Sequence, residues 1–287
     1  MTNLKSTFRK LIAGRVSSNN EAGLSRQVHK YFQDDLFLAE FPKSGVTWLS
    51  TIIANLEIQS SNYDEMGSAH AKNVGFGVLP SFISDDSLAT PLSLYKSKLL
   101  GGRIIKTHSP WLSRHGRVIY LYRHPAYVMS SYWSMLRAYN QIDHTISLLA
   151  FCRDENRGLS AWKNHIKSYL YSSSPASTIA FLSYEEMIQD PIKSVSRIIS
   201  LFTARDCASQ LRSAINFSSR EYMALAEESA IANDLRYQVR FSKDYTFVGK
   251  SLRSDKAVES ILPLVSAKCE KELSFLYGSK NQPDNTI

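Results

Sequence analysis

The sequence predicts an α/β fold: one domain with a central parallel β-sheet flanked by helices. Apolar runs of strand length recur along the chain, and each is followed by a turn and then by a stretch with helical spacing. That alternation is satisfied by a parallel sheet covered by helices. The chain is also long enough for one sizeable core, with 287 residues of which 44% are hydrophobic. Residues 1–287 are therefore read as a single domain, with a basic N-terminal extension at 1–20 and a frayed tail at 278–287.

Residues 35–41, Asp-Leu-Phe-Leu-Ala-Glu-Phe, form the first strand, followed by the loop Pro42-Lys-Ser-Gly-Val-Thr47 and a helix over 48–56. Residues 102–106 form a second strand that runs into Thr107-His108-Ser109-Pro110, where proline ends regular pairing. A third strand spans 117–122 and closes at Arg123-His124-Pro125, the proline suiting the first turn of a helix over 126–136. The fourth strand, 178–182, precedes Tyr184-Glu-Glu-Met187, Asp190-Pro191 and an amphipathic stretch over 192–202. Residues 258–277 read as a packed helix with Ile261, Leu262, Val265, Leu273 and Leu276 apolar. The stretch 63–98 has no clear period and is expected to cover the site. In sheets of this kind ligands bind beyond the carboxyl ends of the strands, where Lys43, His108 and Arg123 all emerge.

Lys and Arg number 34 against 26 Asp and Glu, a formal net charge of +8. An anionic ligand fits that excess, but the positives are scattered rather than gathered on one face between aromatics, so no nucleic-acid partner is expected. Cys152, Cys207 and Cys269 are odd in number and lack metal-ligand spacing, which points to a reducing compartment. No uncharged apolar run is long enough to span a membrane. Within the first 16 residues Leu4, Phe8, Leu11 and Ile12 lie at helical spacing among Lys5, Arg9, Lys10 and Arg15. That apolar stretch is too short for a secretory signal, and a surface helix is the simplest reading. A cytoplasmic location is expected.

A strand-to-helix loop carrying Lys43, Ser44, Gly45 and Thr47 offers amides, hydroxyls and a positive helix end to a phosphate. The lysine precedes the loop's only glycine by two residues, unlike the nucleotide triphosphatase loop Gly-x-x-x-x-Gly-Lys-Ser/Thr. Arg123 stands where a triphosphate enzyme commonly places a magnesium-binding aspartate. An arginine there binds a second phosphate directly, with Ser131 on the following helix. Two separated anion sites imply a doubly phosphorylated nucleotide.

Phe41-Pro-Lys-Ser-Gly-Val-Thr-Trp48 resembles the phosphosulfate loop of the soluble, cytosolic-type sulfotransferases that use 3'-phosphoadenosine 5'-phosphosulfate (PAPS), usually Tyr-Pro-Lys-Ser-Gly-Thr-Thr-Trp. Ile105-Lys-Thr-His-Ser-Pro110 resembles the Lys-Thr-His-Leu-Pro stretch whose histidine is the family's base. Tyr122-Arg-His-Pro with Ser131 resembles the segment that grips the 3'-phosphate, and Tyr184-Glu-Glu-Met187 with Asp190-Pro191 resembles the element whose tyrosine lies by the adenine. Trp48 resembles the tryptophan that stacks on adenine. The four motifs span about residues 36–202. Val46 departs from the pattern by removing a hydroxyl, though its N–H is expected to remain available. The last family motif, Arg-Lys-Gly-x-x-Gly-Asp-Trp, has no clean counterpart, and Gly249, Lys250 and Arg253 are the nearest candidates. The family's short dimer motif is not visible, and the sequence is silent on oligomeric state.

Sulfuryl transfer needs an acceptor deprotonated during attack, in-line alignment, and positive charge on the leaving oxygen. His108 is assigned as base, Lys43 to the leaving oxygens and Lys106 to the sulfuryl oxygens, with no metal. Blander alternatives are His108 as a hydrogen-bonded scaffold residue, Lys106 as a solvated strand end, Ser131 as a helix-interior hydroxyl, and Trp48 and Tyr184 as core. The remaining histidines, His29, His70, His115, His124, His144 and His165, form no ligand-spaced pair and are given surface or packing roles.

The expected reaction is therefore transfer from PAPS, leaving 3'-phosphoadenosine 5'-phosphate (PAP), to a hydroxyl or amine of a small, natural-product-like molecule. A nucleotide kinase with a degenerate loop and a non-catalytic phosphonucleotide-binding module are the alternatives. Phe76, Phe82, Trp111, Trp133, Phe241 and Tyr245 are candidates for an aromatic acceptor pocket or for core. Asp64, Glu65, Asp85 and Asp86 would favour a cationic acceptor.

Overall fold

The structure is a computed structural model that describes residues 31–60, 82–84, 97–171, 177–232 and 256–278. Its strands are β1 (Leu36–Glu40), β2 (Phe82–Ser84), β3 (Ile104–Thr107), β4 (Arg117–Tyr122) and β5 (Thr178–Ser183). They pair in the order β2-β3-β1-β4-β5, and every pairing is parallel. Helices follow as α1 (Val46–Ser60), α2 (Pro125–Ala138), α3 (Leu148–Cys152), α4 (Leu159–Leu170), α5 (Tyr184–Gln189), α6 (Pro191–Ile199), α7 (Ala208–Phe217), α8 (Arg220–Ala232) and α9 (Lys256–Tyr277).

Side chains alternate across the central strands, so each strand feeds two cores. Leu36, Leu38, Ile119, Leu121, Ala180 and Leu182 pack under α1, α6 and α7. Phe37, Ala39, Val118, Tyr120 and Tyr122 pack on the opposite face against α2, α4 and α9. The helix after β1 thus lies on one face and the helix after β4 on the other. Neighbouring strands whose helices leave in opposite directions open a crevice at their carboxyl ends, and such crevices are where ligands bind in open parallel sheets.

The ends of the elements follow local chemistry. Pro125 opens α2 behind the cap His124, Ser183 caps α5 through the amides of Glu185 and Glu186, and Asp190 caps α6 through Lys193 N–H. At the amino end of the sheet, Arg103 Nη2 meets Asp35 Oδ2 at 2.5 Å and Arg103 Nε donates to Asp35 Oδ1 at 2.8 Å, both side chains being buried. Gly102, at φ 144°, lies against the Asp34 carbonyl so closely that a Cβ would collide with it.

The four predicted strands and their parallel order are present, β4 with the predicted bounds. β2 lies within the stretch in which no period was legible. The predicted helix over 258–277 is α9, where Ile261, Val265 and Leu273 are buried and Leu262 and Leu276 pack against the core.

Candidate active site

Strand register assembles the site. β1 and β3 pair with Leu38 opposite Lys106 and Ala39 opposite Thr107, so the next residues, Glu40 and His108, leave the sheet side by side. Period-two alternation puts Glu40 on the face of Leu36 and Leu38, beneath the start of α1. On the other side of β1, Glu40 pairs with Leu121, and Tyr122 pairs with Ser183. Arg123 and Tyr184 therefore emerge as neighbours.

The loop between β1 and α1 is tightly wound. Lys43 takes φ 77°, in the left-handed region that costs a non-glycine residue on the order of 1–3 kcal/mol. Gly45 takes φ 110°, and a Cβ there would run into the Tyr184 ring, so glycine is required by both backbone and space. Ser44 is buried and its hydroxyl donates to the Phe41 carbonyl at 2.9 Å. The Val46 N–H, expected from the sequence to remain available, is instead taken: it donates to Glu40 Oε2 at 2.8 Å. A buried carboxylate needs donors, and the first residue of α1 supplies one.

Burial pushes the Lys43 ammonium down to about 8; Glu40 opposes the shift, and Lys106 and Arg123 reinforce it. Burial raises the Glu40 carboxyl, opposed by Lys106, the Val46 amide, Lys43 and the Gly45 amide. His108 is held well below the ordinary imidazole value, first by burial and then by Lys106, so it is neutral near pH 7. Its side chain is still 32% exposed, which leaves it within reach of a ligand. Nδ1 faces the Glu40 carbonyl at 3.4 Å and Glu40 Oε1 at 3.7 Å.

Behind His108 lies a buried ring network. His165 Nε2 donates to the His108 carbonyl at 3.0 Å, and the Tyr120 hydroxyl, 2.8 Å from His165 Nδ1, donates to it. Tyr169 donates to the Ser109 carbonyl at 2.9 Å. Consecutive carbonyls of the turn are thus pinned by α4, whose His165 is held in turn by Tyr120 of β4.

Arg123 lies with its guanidinium carbon 4.4 Å from the centre of the Tyr184 ring and 5.6 Å from that of Tyr127. Its Nε is buried and meets no hydrogen-bond acceptor among the described residues. A buried donor without an acceptor is the fit expected of a site for an anion. Glu185 fixes the turn: Oε1 accepts the His124 N–H at 3.0 Å, and Oε2 accepts the hydroxyls of Ser183 and Tyr277, both at 2.9 Å. The Trp48 ring stands edge-on to Tyr184 at 5.8 Å and is anchored by Nε1 to the Ser218 carbonyl.

Lys43, Ser44, Gly45, Val46, Thr47 and Trp48 thus share one loop and helix start, beside Lys106 and His108 on one flank and Arg123 and Tyr184 on the other. Ser131 lies half-buried on α2. Gly249, Lys250 and Arg253 lie outside the described residues, as do Asp64, Glu65, Asp85 and Asp86, and Phe76, Phe241 and Tyr245. Trp111, and Trp133 of α2, are half-buried and pack against the core that holds Phe37 and Tyr120. Of the remaining described histidines, His115 and His165 are buried, His124 caps α2, and His144 is exposed beside Asn140. Glu40 escaped the sequence reading. Its only signal was an acid ending an apolar strand.

Comparison with known proteins gives this arrangement relatives. Residues 33–239 match the family model described as the sulfotransferase domain. Flavonol 3-sulfotransferase of Flaveria bidentis is 25% identical over 276 residues, 85% of each chain. Sulfotransferase 1E1 of Mus musculus is 26% identical over 202 residues, 66% of each chain. Among solved structures, retinol dehydratase in complex with retinol and PAP is similar with a TM-score of 0.62 at 17% identity, covering 85% of this chain and 82% of its own. Mouse sulfotransferase SULT7A1 complexed with PAP gives 0.54 at 18% identity, covering 86% of each.

Proposed function

The chain belongs to the PAPS-dependent sulfotransferase family, and from that premise we propose that it moves a sulfuryl group from PAPS to a hydroxyl or amine of a small molecule, with His108 as general base. The observation that carries the reading is the register of three adjacent parallel strands, β3, β1 and β4, whose carboxyl ends deliver His108, Lys43 and Arg123 to one crevice. Retinol dehydratase and mouse sulfotransferase SULT7A1 are both known in complex with PAP, and a relative is named for a flavonol acceptor, which supports nucleotide and acceptor class alike.

In this reading Arg123 and Ser131 hold the 3'-phosphate, and the Gly45 and Thr47 region of the loop holds the 5'-phosphosulfate. Trp48 and Tyr184 flank the adenine. Gly249, Lys250 and Arg253, outside the described residues, are the candidates for further contacts to the nucleotide. A neutral His108 takes the acceptor proton as the acceptor oxygen or nitrogen forms its bond to sulfur. The bond from sulfur to the phosphate oxygen breaks, leaving PAP, and the negative charge gathering on that oxygen meets Lys43. Lys106, on β3 two residues before His108, meets the sulfuryl oxygens. Burial first, and then Lys106, keeps the imidazole neutral, the state a base requires.

Among the described residues no helix is long and apolar enough to cross a membrane. A relative from Arabidopsis thaliana, 27% identical over 180 residues, is named cytosolic sulfotransferase 1, which supports a cytoplasmic location. The test is a mass-spectrometric screen of phenols, flavonols, steroid alcohols and aryl amines with PAPS, run beside His108→Ala. Sulfated product from the wild type and its loss in the variant are expected; equal product from both would remove His108 from the role of base.

A further inference from the structure

We propose that Glu40 is a positioning residue that ties the base to the phosphate loop: its carboxylate accepts the first amide of α1 through one oxygen and faces His108 Nδ1 through the other. The inference rests on His108 being the base. Glu40 ends β1 next to His108 because Ala39 pairs with Thr107. Its side chain is buried, Oε2 accepts the Val46 N–H at 2.8 Å, and Oε1 stands 3.7 Å from His108 Nδ1. Its own backbone carbonyl faces the same nitrogen at 3.4 Å.

A carbonyl only accepts, so Nδ1 carries the ring hydrogen and Nε2 presents its lone pair to the acceptor. When Nε2 takes the proton, the ring becomes a cation beside two lysines, Lys106 and Lys43, with His165 behind it. The Glu40 carboxylate is the negative group that meets that cation. Orienting carboxylates behind a base act in this way, and replacing such second partners commonly costs about 10–100-fold in activity. Because the same carboxylate holds the start of α1, His108 and the phosphate loop are set relative to one another by a single side chain.

Glu40→Gln keeps the shape, and an amide oxygen still accepts from Val46, so the substitution removes charge and little else. The deciding measurement is turnover of 2-naphthol with PAPS near pH 7, wild type against Glu40→Gln. The expected result is a kcat lower by about 10–100-fold in the variant, the loss typical of an orienting carboxylate. PAP affinity should stay within about threefold, because the loop contact is retained. An unchanged kcat would overturn the proposal, and so would a lost kcat accompanied by lost PAP affinity, which marks a purely structural role. His108→Ala separates the two readings. If His108→Ala is as active as wild type the base assignment falls, whereas an inactive His108→Ala beside a fully active Glu40→Gln removes only Glu40.

Discussion

His165 Nε2 lies 3.0 Å from the carbonyl oxygen of His108, and that bond fixes the proton positions of a buried network. With Nε2 donating, Nδ1 must accept from Tyr120, and burial holds His165 down at about 4. His165→Phe would strand both the His108 carbonyl and the Tyr120 hydroxyl. Each stranded buried group costs about 1–3 kcal/mol. Urea denaturation is expected to show that loss together with reduced kcat; wild-type stability would deny the network its role.

The same histidine carries a pH signature. Its folded value is below the unfolded value of about 6.5, so the unfolded chain binds the extra proton between them and stability falls as pH drops through that window. For His165 the window runs from about 6.5 to about 4. Stability measured by urea titration at pH 7 and pH 5 should fall at the lower pH, and by less in a folded His165→Gln variant. An equal fall in both would show that His165 is not the proton-linked group.

Lys43 titrates in the opposite functional sense. With its value pushed down to about 8, the loop loses a positive charge as pH rises past that point. PAP affinity is expected to be level from pH 6 to 7 and to weaken by up to about tenfold per unit well above pH 8, a decline that Lys43→Arg removes because guanidinium stays charged. A level profile in the wild type would contradict it.

Gly45→Ala tests the loop's shape. The added Cβ meets the Tyr184 ring at a φ that L-residues rarely adopt. Calorimetry should show PAP affinity lost by about tenfold or more even where the variant folds, by comparison with other displacements of positioned groups; unchanged affinity would mean that the loop does not hold the nucleotide.

The parallel fold was legible because its signals are local. Pro125 after Arg123 and His124 stops β4 and starts α2, and the apolar run of β4 is bounded on both sides by polar residues. Lys43, His108 and Arg123 were legible for the same reason, each following a strand. Glu40 was not, because an acid at a strand end reads as a solvated terminus until β3 and α1 bury it. His165 was not, because its partners lie 45 and 57 residues away in sequence. β2 is three residues at the sheet edge, too short for alternation to register.

Long-range pairs also carry stability. Asp35→Ala leaves the Arg103 charge buried, and breaking such a pair costs about 3–5 kcal/mol. Replacing both by Leu and Met should recover most of that. Urea titrations of the single and double variants check it, and a double variant as unstable as the single would show that the charge is not the cause.

The most direct test of the whole reading is calorimetric titration of PAP in the presence of chelator, wild type against Arg123→Ala, with ATP as the comparison. PAP is expected to bind without metal, more tightly than ATP, and about 10–100-fold more weakly in the variant, the loss of charge-assisted hydrogen bonds to phosphate. Absent PAP binding, or preference for ATP with magnesium, would contradict the account and restore the kinase alternative.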